Sequence, residues 1–223
     1  MVERVALLGE DRGHRSHQEL NALRPMLGVD TAWVPSDSAF DISEYDGVWL
    51  VPGSPYADDA AVLRALTVVR ERGIPFLGSC GGMQYAVLEF VRSILNESAT
   101  HAESDGPADD NVVTALACSL YGEERVVTPV AGTRFDGWVD GPFTGMHFCN
   151  YAPTAEVVAR LEQAGVVVGA TADDAGAELL DFPDHPFYVV SMFQPHIGAL
   201  AGAPVHPLVR EFVAAVRDTV PRA

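Results

Sequence analysis

A cysteine lies at a predicted corner between a strand and a helix. The apolar run "IPFLG" predicts a buried strand ending near Ser79, and the chain from Gly81 to about Asn96 has helical spacing. Cys80 stands between them with glycines on both sides. Such a corner holds a side chain above the sheet edge, and the helix N-terminus behind it favours a thiolate. We therefore predict that Cys80 is a nucleophile; the alternative is a small cysteine buried under a turn.

Strands and helices alternate through the first half of the chain. The segments "VERVALL", "DTAWVP" and "DGVWLVPG" predict strands. Helices are predicted at residues 16–27, with Ser16 as a possible N-cap, and at residues 58–73, ended by Gly73. This alternation predicts an α/β fold: a three-layer α/β/α sandwich around a mostly parallel central sheet, with the active centre at the carboxyl ends of the strands.

The second half is less regular. Residues 98–112 are small and acidic and predict a loop, and "ERVVTPVAGTRF" and "TGMHFCNY" predict strands or ribbons. A helix is predicted at residues 154–165 with Thr154 as its cap, followed by strands in "VVVGATA", "AELLDFP" and "FYVVSMFQP". Residues 206–220 predict a C-terminal helix. The length of 223 residues favours a single domain over residues 1–223.

Composition limits the partners and the compartment. The net charge is −17 and every basic residue is an arginine, so we expect no nucleic-acid or membrane binding. Neither a signal peptide nor a membrane-spanning run is expected. Three widely spaced cysteines favour a reducing cytosol, hence a cytoplasmic protein, over a disulfide scaffold. No metal-ligand spacing or dinucleotide-binding fingerprint is present, so no metal and no cofactor are predicted.

Four segments together resemble the class I glutamine amidotransferases, and most closely the glutaminase domain of CTP synthase. These are "YDGVWLVPGSP", "IPFLGSCGGMQ", "HPFYVVSMFQPH" and "VHPLVREFVAAV". The resemblance spans nearly the whole chain and implies the fold of that family. The synthetase domain that precedes this module in CTP synthase is missing from these 223 residues. We therefore expect no CTP synthesis by this chain alone and allow for a separate synthetase or biosynthetic partner protein.

The resemblance also assigns roles to residues. It places Cys80 on the family's nucleophile and the backbone N–H groups of Ser54 and Gly81 on its oxyanion hole. Glu103 lies one residue from the acidic position that holds the substrate's α-amino group. The substrate-binding positions that it implies are Gly53, Gln84, Glu103, Met146 and His147.

The closing motif departs from the family pattern. The family has F-H-P-E, in which the histidine is the general base and the glutamate orients it, whereas this chain has "FQPH". Gln194 stands at the histidine position and His196 at the glutamate position. An amide is no proton acceptor near neutral pH, so the family's base is absent. We predict that His196 replaces it, directly or through Gln194 or a water, because residues two apart on a strand face the same way.

The substrate clamp departs as well. Met146 in "GMHFCN" takes the position of the arginine that grips the carboxylate of glutamine in the family. Losing such a charge-assisted bond costs about 1.5–3 kcal/mol, so we expect poor activity on free glutamine. His147 is a second candidate base and His101 a candidate lid residue; a structural role is the alternative for His147 and His196. The remaining histidines are predicted to be surface or capping residues: His14, His17, His185 and His206.

Three functions remain open from the sequence. The first is a rewired cysteine enzyme acting on an amide or a related acyl or nitrogen-bearing small molecule through Cys80. The second is a true glutaminase that passes ammonia to a partner protein. The third is a non-catalytic binding or regulatory module. We favour the first because the corner around Cys80 is intact while only the base and the carboxylate clamp have changed.

Overall fold

A computed structural model describes residues 2–173 and 176–219. The first half alternates strand and helix as predicted. Its elements are β1 Arg4–Leu8, α1 Arg15–Leu23, β2 Asp30–Val34, β3 Gly47–Leu50, α2 Asp59–Arg72, β4 Phe76–Ser79 and α3 Gly81–Ser93. The later elements are β5 Thr100–His101, α4 Ala102–Asp105, β6 Asn111–Ala115, β7 Glu123–Pro129, β8 Phe143–His147, β9 Tyr151–Pro153, α5 Ala155–Gln163, β10 Val167–Ala172, β11 Gly176–Asp181, β12 Tyr188–Ser191 and α6 Pro207–Thr219. The last residue of the predicted C-terminal helix, Val220, lies outside the described residues.

Within the described ranges, nine strands form one sheet in the order β2-β1-β3-β4-β12-β11-β10-β7-β8. The five strands from β2 to β12 pair in parallel. The other four extend the sheet with antiparallel pairings. Strands β5, β6 and β9 form a small second sheet. The predicted α/β class is therefore confirmed, and the parallel part is the half that follows the strand-helix alternation of the sequence.

Helices cover both faces of the central sheet. Side chains of β1 alternate between two apolar layers: Ala6 and Leu8 lie in one, and Val5 and Leu7 in the other. The first layer also holds buried residues of α2, α3 and α5, and the second those of α1 and α6. This alternation follows from the period of two along a strand and produces the predicted three-layer sandwich.

The corner after β4 depends on close backbone packing. A Cβ atom on Gly82 would lie 2.4 Å from the carbonyl oxygen of Leu50, and one on Gly78 would lie 2.9 Å from the carbonyl oxygen of Gly82. Neither position has room for a side chain. The glycines thus let the first turn of α3 press against β3 and β4, which fixes where the helix N-terminus points.

Several local predictions are confirmed and others are wrong. Gly73 ends α2 in the left-handed region at φ 65°, and the Thr154 side chain accepts a hydrogen bond from Val157 N–H at the start of α5. Ser16 is not an N-cap, because the helix begins one residue earlier and Ser16 is buried. The predicted loop 98–112 contains β5, α4 and the start of β6. Among the described helices, none has the length and apolar character needed to cross a bilayer.

We predict that Gly82→Ala destabilises the protein by about 1–3 kcal/mol, the usual cost of overpacking. The added methyl group would meet the Leu50 carbonyl oxygen, which belongs to the backbone of β3 and cannot rotate away. Urea unfolding of the variant and of the parent protein measures the difference. Gly137→Ala is the matched control, because its Cβ would lie 3.3 Å from a carbonyl oxygen in an exposed turn. Equal stability of the two variants would contradict the prediction.

Candidate active site

Cys80 occupies a strained backbone conformation at the predicted corner. Its φ is 54° and its ψ is −110°. A non-glycine residue in a sparsely populated region costs about 1–3 kcal/mol. Two hydrogen bonds hold the corner: the Cys80 N–H donates to Ser191 O at 2.8 Å, and the Cys80 carbonyl accepts from Met83 N–H at 3.0 Å. The Cys80 side chain therefore lies at the N-terminus of α3, where the sequence analysis placed it.

The two predicted oxyanion-hole residues lie side by side. A Cβ atom built on Gly81 would lie 3.0 Å from Ser54 N. Ser54 belongs to the loop after β3, and Gly81 opens α3, so the packing of α3 against β3 brings them together. The Ser54 hydroxyl is 3.0 Å from Glu103 Oε2 and 3.1 Å from Gln84 Oε1. The backbone amides of residues 54 and 81 are thus positioned next to Cys80.

An open cavity of about 190 Å³ lies above this corner. Six of the predicted site residues line it: Gly53, Ser54, Cys80, Gln84, Glu103 and Gln194. Gly81, Met146, His147 and His196 are predicted site residues that do not line it. The cavity is also lined by charged and ionisable residues that the sequence analysis did not assign to the site: Arg12, His14 and Arg15.

These three residues follow β1 in the segment "EDRGHRS". The Arg12 guanidinium donates to Pro55 O at 2.6 Å and pairs with Glu10 at 3.3 Å. The Arg15 side chain is 61% exposed, and its Nε lies 3.8 Å from Glu19. The sequence could have pointed to these three residues, because they follow a central parallel strand. Ligands of such sheets bind at the carboxyl ends of the strands. The site therefore has cationic groups, although they do not come from the segment of Met146.

Buried His17 fastens this segment to the loop of Ser54. Its Nδ1 accepts the Arg12 N–H at 2.9 Å, and its Nε2 lies 2.7 Å from Pro52 O. Since a carbonyl only accepts, Nε2 carries the proton and the imidazole is neutral. Burial lowers the pKa of His17 in agreement with that state. The prediction of a surface or capping role for His17 is wrong, because its side chain is fully buried.

A second polar network holds the opposite wall. His101 Nε2 lies 3.0 Å from Gln84 Oε1, and His101 Nδ1 accepts the Glu103 N–H at 3.2 Å. Gln84 Nε2 donates to Tyr151 O at 2.7 Å. Burial raises the pKa of Glu103, against the opposing effect of the bond from Ser54. His101 is fully buried, so the lid role predicted for it is wrong.

Gln194 and His196 are joined through the hydroxyl of Ser16, but only Gln194 lines the cavity. Gln194 Oε1 accepts a hydrogen bond from Ser16 Oγ at 2.6 Å, and His196 Nε2 lies 2.9 Å from the same hydroxyl. A hydroxyl has one proton, so donation to Gln194 leaves His196 Nε2 as the donor and its Nδ1 unprotonated. That Nδ1 is buried without a hydrogen-bond partner. Desolvation by burial, the largest cause, lowers the pKa of His196 from 6.5 to about 3.

The expectation that His196 turns into the cavity is therefore wrong. The rule that residues two apart share a face applies only along a strand, and β12 ends at Ser191. The chain then forms a turn in which Ile197 N–H donates to Gln194 O at 3.2 Å. His196 instead packs edge-on against Trp49, with ring centroids 5.6 Å apart.

The segment of Met146 and His147 does not reach the cavity either. The Met146 carbonyl accepts the Gln194 N–H at 2.9 Å, so this residue positions Gln194 through its backbone. The His147 ring is fully buried, with Nε2 2.8 Å from Glu178 Oε2 and Nδ1 3.1 Å from Gly145 O. The prediction of these two as substrate-contacting residues finds no support in this arrangement, because neither lines the cavity and both ring nitrogens of His147 lie within hydrogen-bond distance of other protein groups.

Among the histidines of the described ranges, only His14 lines the cavity. Its ring packs against that of His17 with centroids 3.7 Å apart and an angle of 35° between the ring planes, and its side chain is exposed at the cavity mouth. Burial, and then the neighbouring His17 and Arg12, lower the pKa of His14. His185 is buried, with Nε2 3.2 Å from Val69 O, so a surface position was wrongly predicted for it. The half-buried His206 ring has a pKa lowered by burial to about 4.

Two of the three cysteines meet at the cavity. Cys80 and Cys149 form a disulfide with their Cα atoms 6.2 Å apart, and both line the cavity. Cys118 is exposed and free. The expectation from number and spacing, that these cysteines form no disulfide, is wrong for this pair. The two cysteines are 69 residues apart, and nothing in that spacing predicts that they meet. Only the expected position of "GMHFCN" beside the pocket could have suggested the contact.

The buried, neutral His196 predicts that the protein loses stability in acid. Its folded-state pKa lies below 6.5, so the unfolded chain takes up the proton first as pH falls. Between these values one such group lowers the free energy of unfolding by about 1.4 kcal/mol per pH unit. Urea unfolding at pH 7, 6 and 5 should show a shallower loss for His196→Asn than for the parent. Equal slopes for His196→Asn and the parent would refute the assignment.

Comparisons with known proteins agree with this architecture. The family model "Glutamine amidotransferase class-I" matches residues 15–131. The CTP synthase of Archaeoglobus fulgidus is 30% identical over 203 residues, which cover 81% of this chain and 37% of that protein. The CTP synthase of Natronomonas pharaonis is 29% identical over 202 residues, covering 81% of this chain and 36% of that protein. The chain thus spans little more than a third of the length of these curated relatives.

Solved structures support the fold. The CTPS glutaminase domain of Trypanosoma brucei with bound acivicin superposes with a TM-score of 0.81 at 20% identity, covering 99% of this chain and 96% of that one. A glutamine amidotransferase of Thermotoga maritima gives a TM-score of 0.63 at 12% identity, covering 98% and 97%. The family match includes the corner of Cys80 and the loop of Ser54. The chain belongs to the class I glutamine amidotransferase family.

Proposed function

We propose that this chain is a cysteine-dependent enzyme that cleaves the amide bond of a small anionic molecule. The observation that carries the proposal is the strained corner of Cys80 beside the adjoining amides of Ser54 and Gly81. The Cys80 thiolate forms a C–S bond to the amide carbon, and the two backbone N–H groups stabilise the oxyanion. The C–N bond then breaks, the nitrogen leaves after gaining a proton, and water hydrolyses the thioester.

His14 is the proposed proton acceptor for Cys80. It shares the cavity with the thiol, and its lowered pKa leaves it neutral near pH 7, the state in which an imidazole accepts a proton. It acts directly or through one water. His196 is unsuited to this step, because Ser16 occupies its Nε2 and the ring lies outside the cavity. Gln194 holds its place in the cavity wall without taking part in proton transfer.

The substrate is proposed to carry a carboxylate or another anionic group. The chain has a net charge of −17, yet two arginines line this one cavity. The carboxyl group facing them, that of Glu103, has a raised pKa that weakens its opposing charge. Free glutamine is proposed to be a poor substrate, because Met146 provides no clamp in the cavity and no histidine occupies position 194.

The second candidate function is that of a glutaminase that supplies ammonia to a separate partner protein. Its support is that the similar CTP synthases are more than twice as long as the aligned segment. Fast turnover of free glutamine would favour this function over the first. Absence of turnover on any amide, with a reactive Cys80, would favour a non-catalytic binding module.

Ammonia release from small amides tests the first function. With the reduced protein we expect turnover of at least one anionic amide among glutaramate and succinamate, at least tenfold faster than of neutral butyramide. Cys80→Ala should abolish it, and His14→Asn should slow it by about 10²–10⁴, the range for a lost general base. L-glutamine should turn over below about 1 s⁻¹, the lower end of usual enzyme rates.

His206→Asn is the control for His14→Asn, since His206 does not line the cavity. Equal effects of the two histidine changes would remove His14 from the mechanism. Ammonia release that persists in Cys80→Ala would overturn the covalent mechanism.

Alkylation of Cys80 tests the preference for an anionic substrate without needing the natural one. Iodoacetate and iodoacetamide are similar in size and differ in charge. Because the two arginines are partly exposed, each is worth about 0.2–1 kcal/mol. The double variant Arg12→Gln/Arg15→Gln should therefore lower the iodoacetate-to-iodoacetamide rate ratio at Cys80 by about two- to thirtyfold. Arg64→Gln, on the exposed face of α2, is the control and should leave the ratio unchanged. An unchanged ratio in the double variant as well would contradict the proposed preference for an anionic substrate.

A further inference from the structure

Cys149 faces the nucleophile from a distant part of the chain. It lies between β8 and β9, whereas Cys80 lies between β4 and α3. Their Cα separation of 6.2 Å falls within the range that disulfides span without backbone movement. Both side chains line the same cavity, so a small oxidant that enters it meets both sulfur atoms. Cys118, by contrast, is exposed and outside the cavity.

We infer that Cys80 and Cys149 form a reversible redox pair that switches the nucleophile off. A sulfur atom bonded to another sulfur cannot attack a carbonyl carbon, so the disulfide is the closed form of the site and the dithiol the open form. This inference rests on the proposed nucleophilic role of Cys80. It adds a modification site and a resolving cysteine that the amide-cleaving mechanism does not require.

The surroundings accommodate both forms. In the dithiol, the N-terminus of α3 favours the Cys80 thiolate, which makes Cys80 the sulfur that reacts first. The Cys149 sulfur lies 3.5 Å from Met192 O, so a reduced Cys149 has a hydrogen-bond acceptor already in place. Both residues are almost fully buried, with Cys80 6% and Cys149 2% exposed, and the cavity is the access route.

A peroxide is the oxidant class that fits a cavity of this size. The Cys80 thiolate attacks one peroxide oxygen, an S–O bond forms, the O–O bond breaks, and the departing hydroxide takes a proton to become water. Cys149 then attacks the Cys80 sulfur, forms the S–S bond and displaces the second oxygen as water. Two thiols and one hydrogen peroxide thus give one disulfide and two waters. A dithiol reductant reverses the change by thiol–disulfide exchange.

Thiol counting on the full chain tests this pair. The protein is reduced with dithiothreitol, desalted, exposed to equimolar hydrogen peroxide, denatured in N-ethylmaleimide and measured by intact and peptide mass. We expect one N-ethylmaleimide adduct instead of three, because two of the three thiols have paired with the loss of two hydrogen atoms, and a cross-linked peptide containing residues 80 and 149. Iodoacetamide incorporation at Cys80 in the folded protein should fall at least tenfold and return after renewed reduction.

Two variants separate pairing from simple oxidation. In Cys149→Ser, and in Cys149→Val if the serine variant does not fold, Cys80 has no partner. For this variant peroxide is supplied in excess, because the first peroxide forms the sulfenic acid and a second one forms the sulfinic acid, each releasing one water. Dithiothreitol does not reverse the sulfinic acid. Cys118→Ser is the control and should behave like the parent. Three surviving thiols, a cross-link through Cys118, or full recovery of oxidised Cys149→Ser would each overturn the inference. A Cys80 that iodoacetamide cannot label in the reduced parent would instead overturn the proposed function.

Discussion

The site depends on one steric constraint, the contact of the first turn of α3 with the backbone of β3. Gly82 lies so close to the Leu50 carbonyl that no side chain fits between them. That contact sets the direction in which α3 begins and forces Cys80 into a positive φ. It also brings Gly81 against Ser54. The position of Cys80, the adjoining amides and the floor of the cavity therefore all follow from the closeness of two backbones.

The sequence correctly predicted features whose conformation depends on residues close together in the chain. The turn at Gly73, the cap at Thr154 and the corner at Cys80 were read correctly because their conformations depend on a few neighbouring residues. The continuous apolar run of β1 likewise predicted a strand, and its side chains are buried on both faces of the sheet. These elements were enough to establish the fold class and six residues of the cavity wall.

Contacts across long sequence distances were not predictable in this way. The residues around Ser16 indicate a helix cap, yet its hydroxyl donates a hydrogen bond to Gln194, 178 residues away. His196 was assigned to the cavity by strand parity, and the turn after β12 placed it elsewhere. Cys149 reaches Cys80 only through the course of the chain between β8 and β9. Each of these errors replaced a tertiary contact by a local rule.

The hydrogen bonds of His17 have a further consequence for the architecture. They connect the backbone amide of Arg12 to the carbonyl of Pro52, so the segment that carries the cationic side chains and the loop that carries Ser54 form one mechanical unit. The link uses main-chain atoms and does not depend on which side chain stands at position 12. A substitution at position 12 therefore removes the guanidinium bond to Pro55 O but leaves the two His17 bonds in place. Lengthening or shortening the chain between β1 and α1 would have a larger effect, because a change in register there would displace the loop of Ser54 through the His17 bonds.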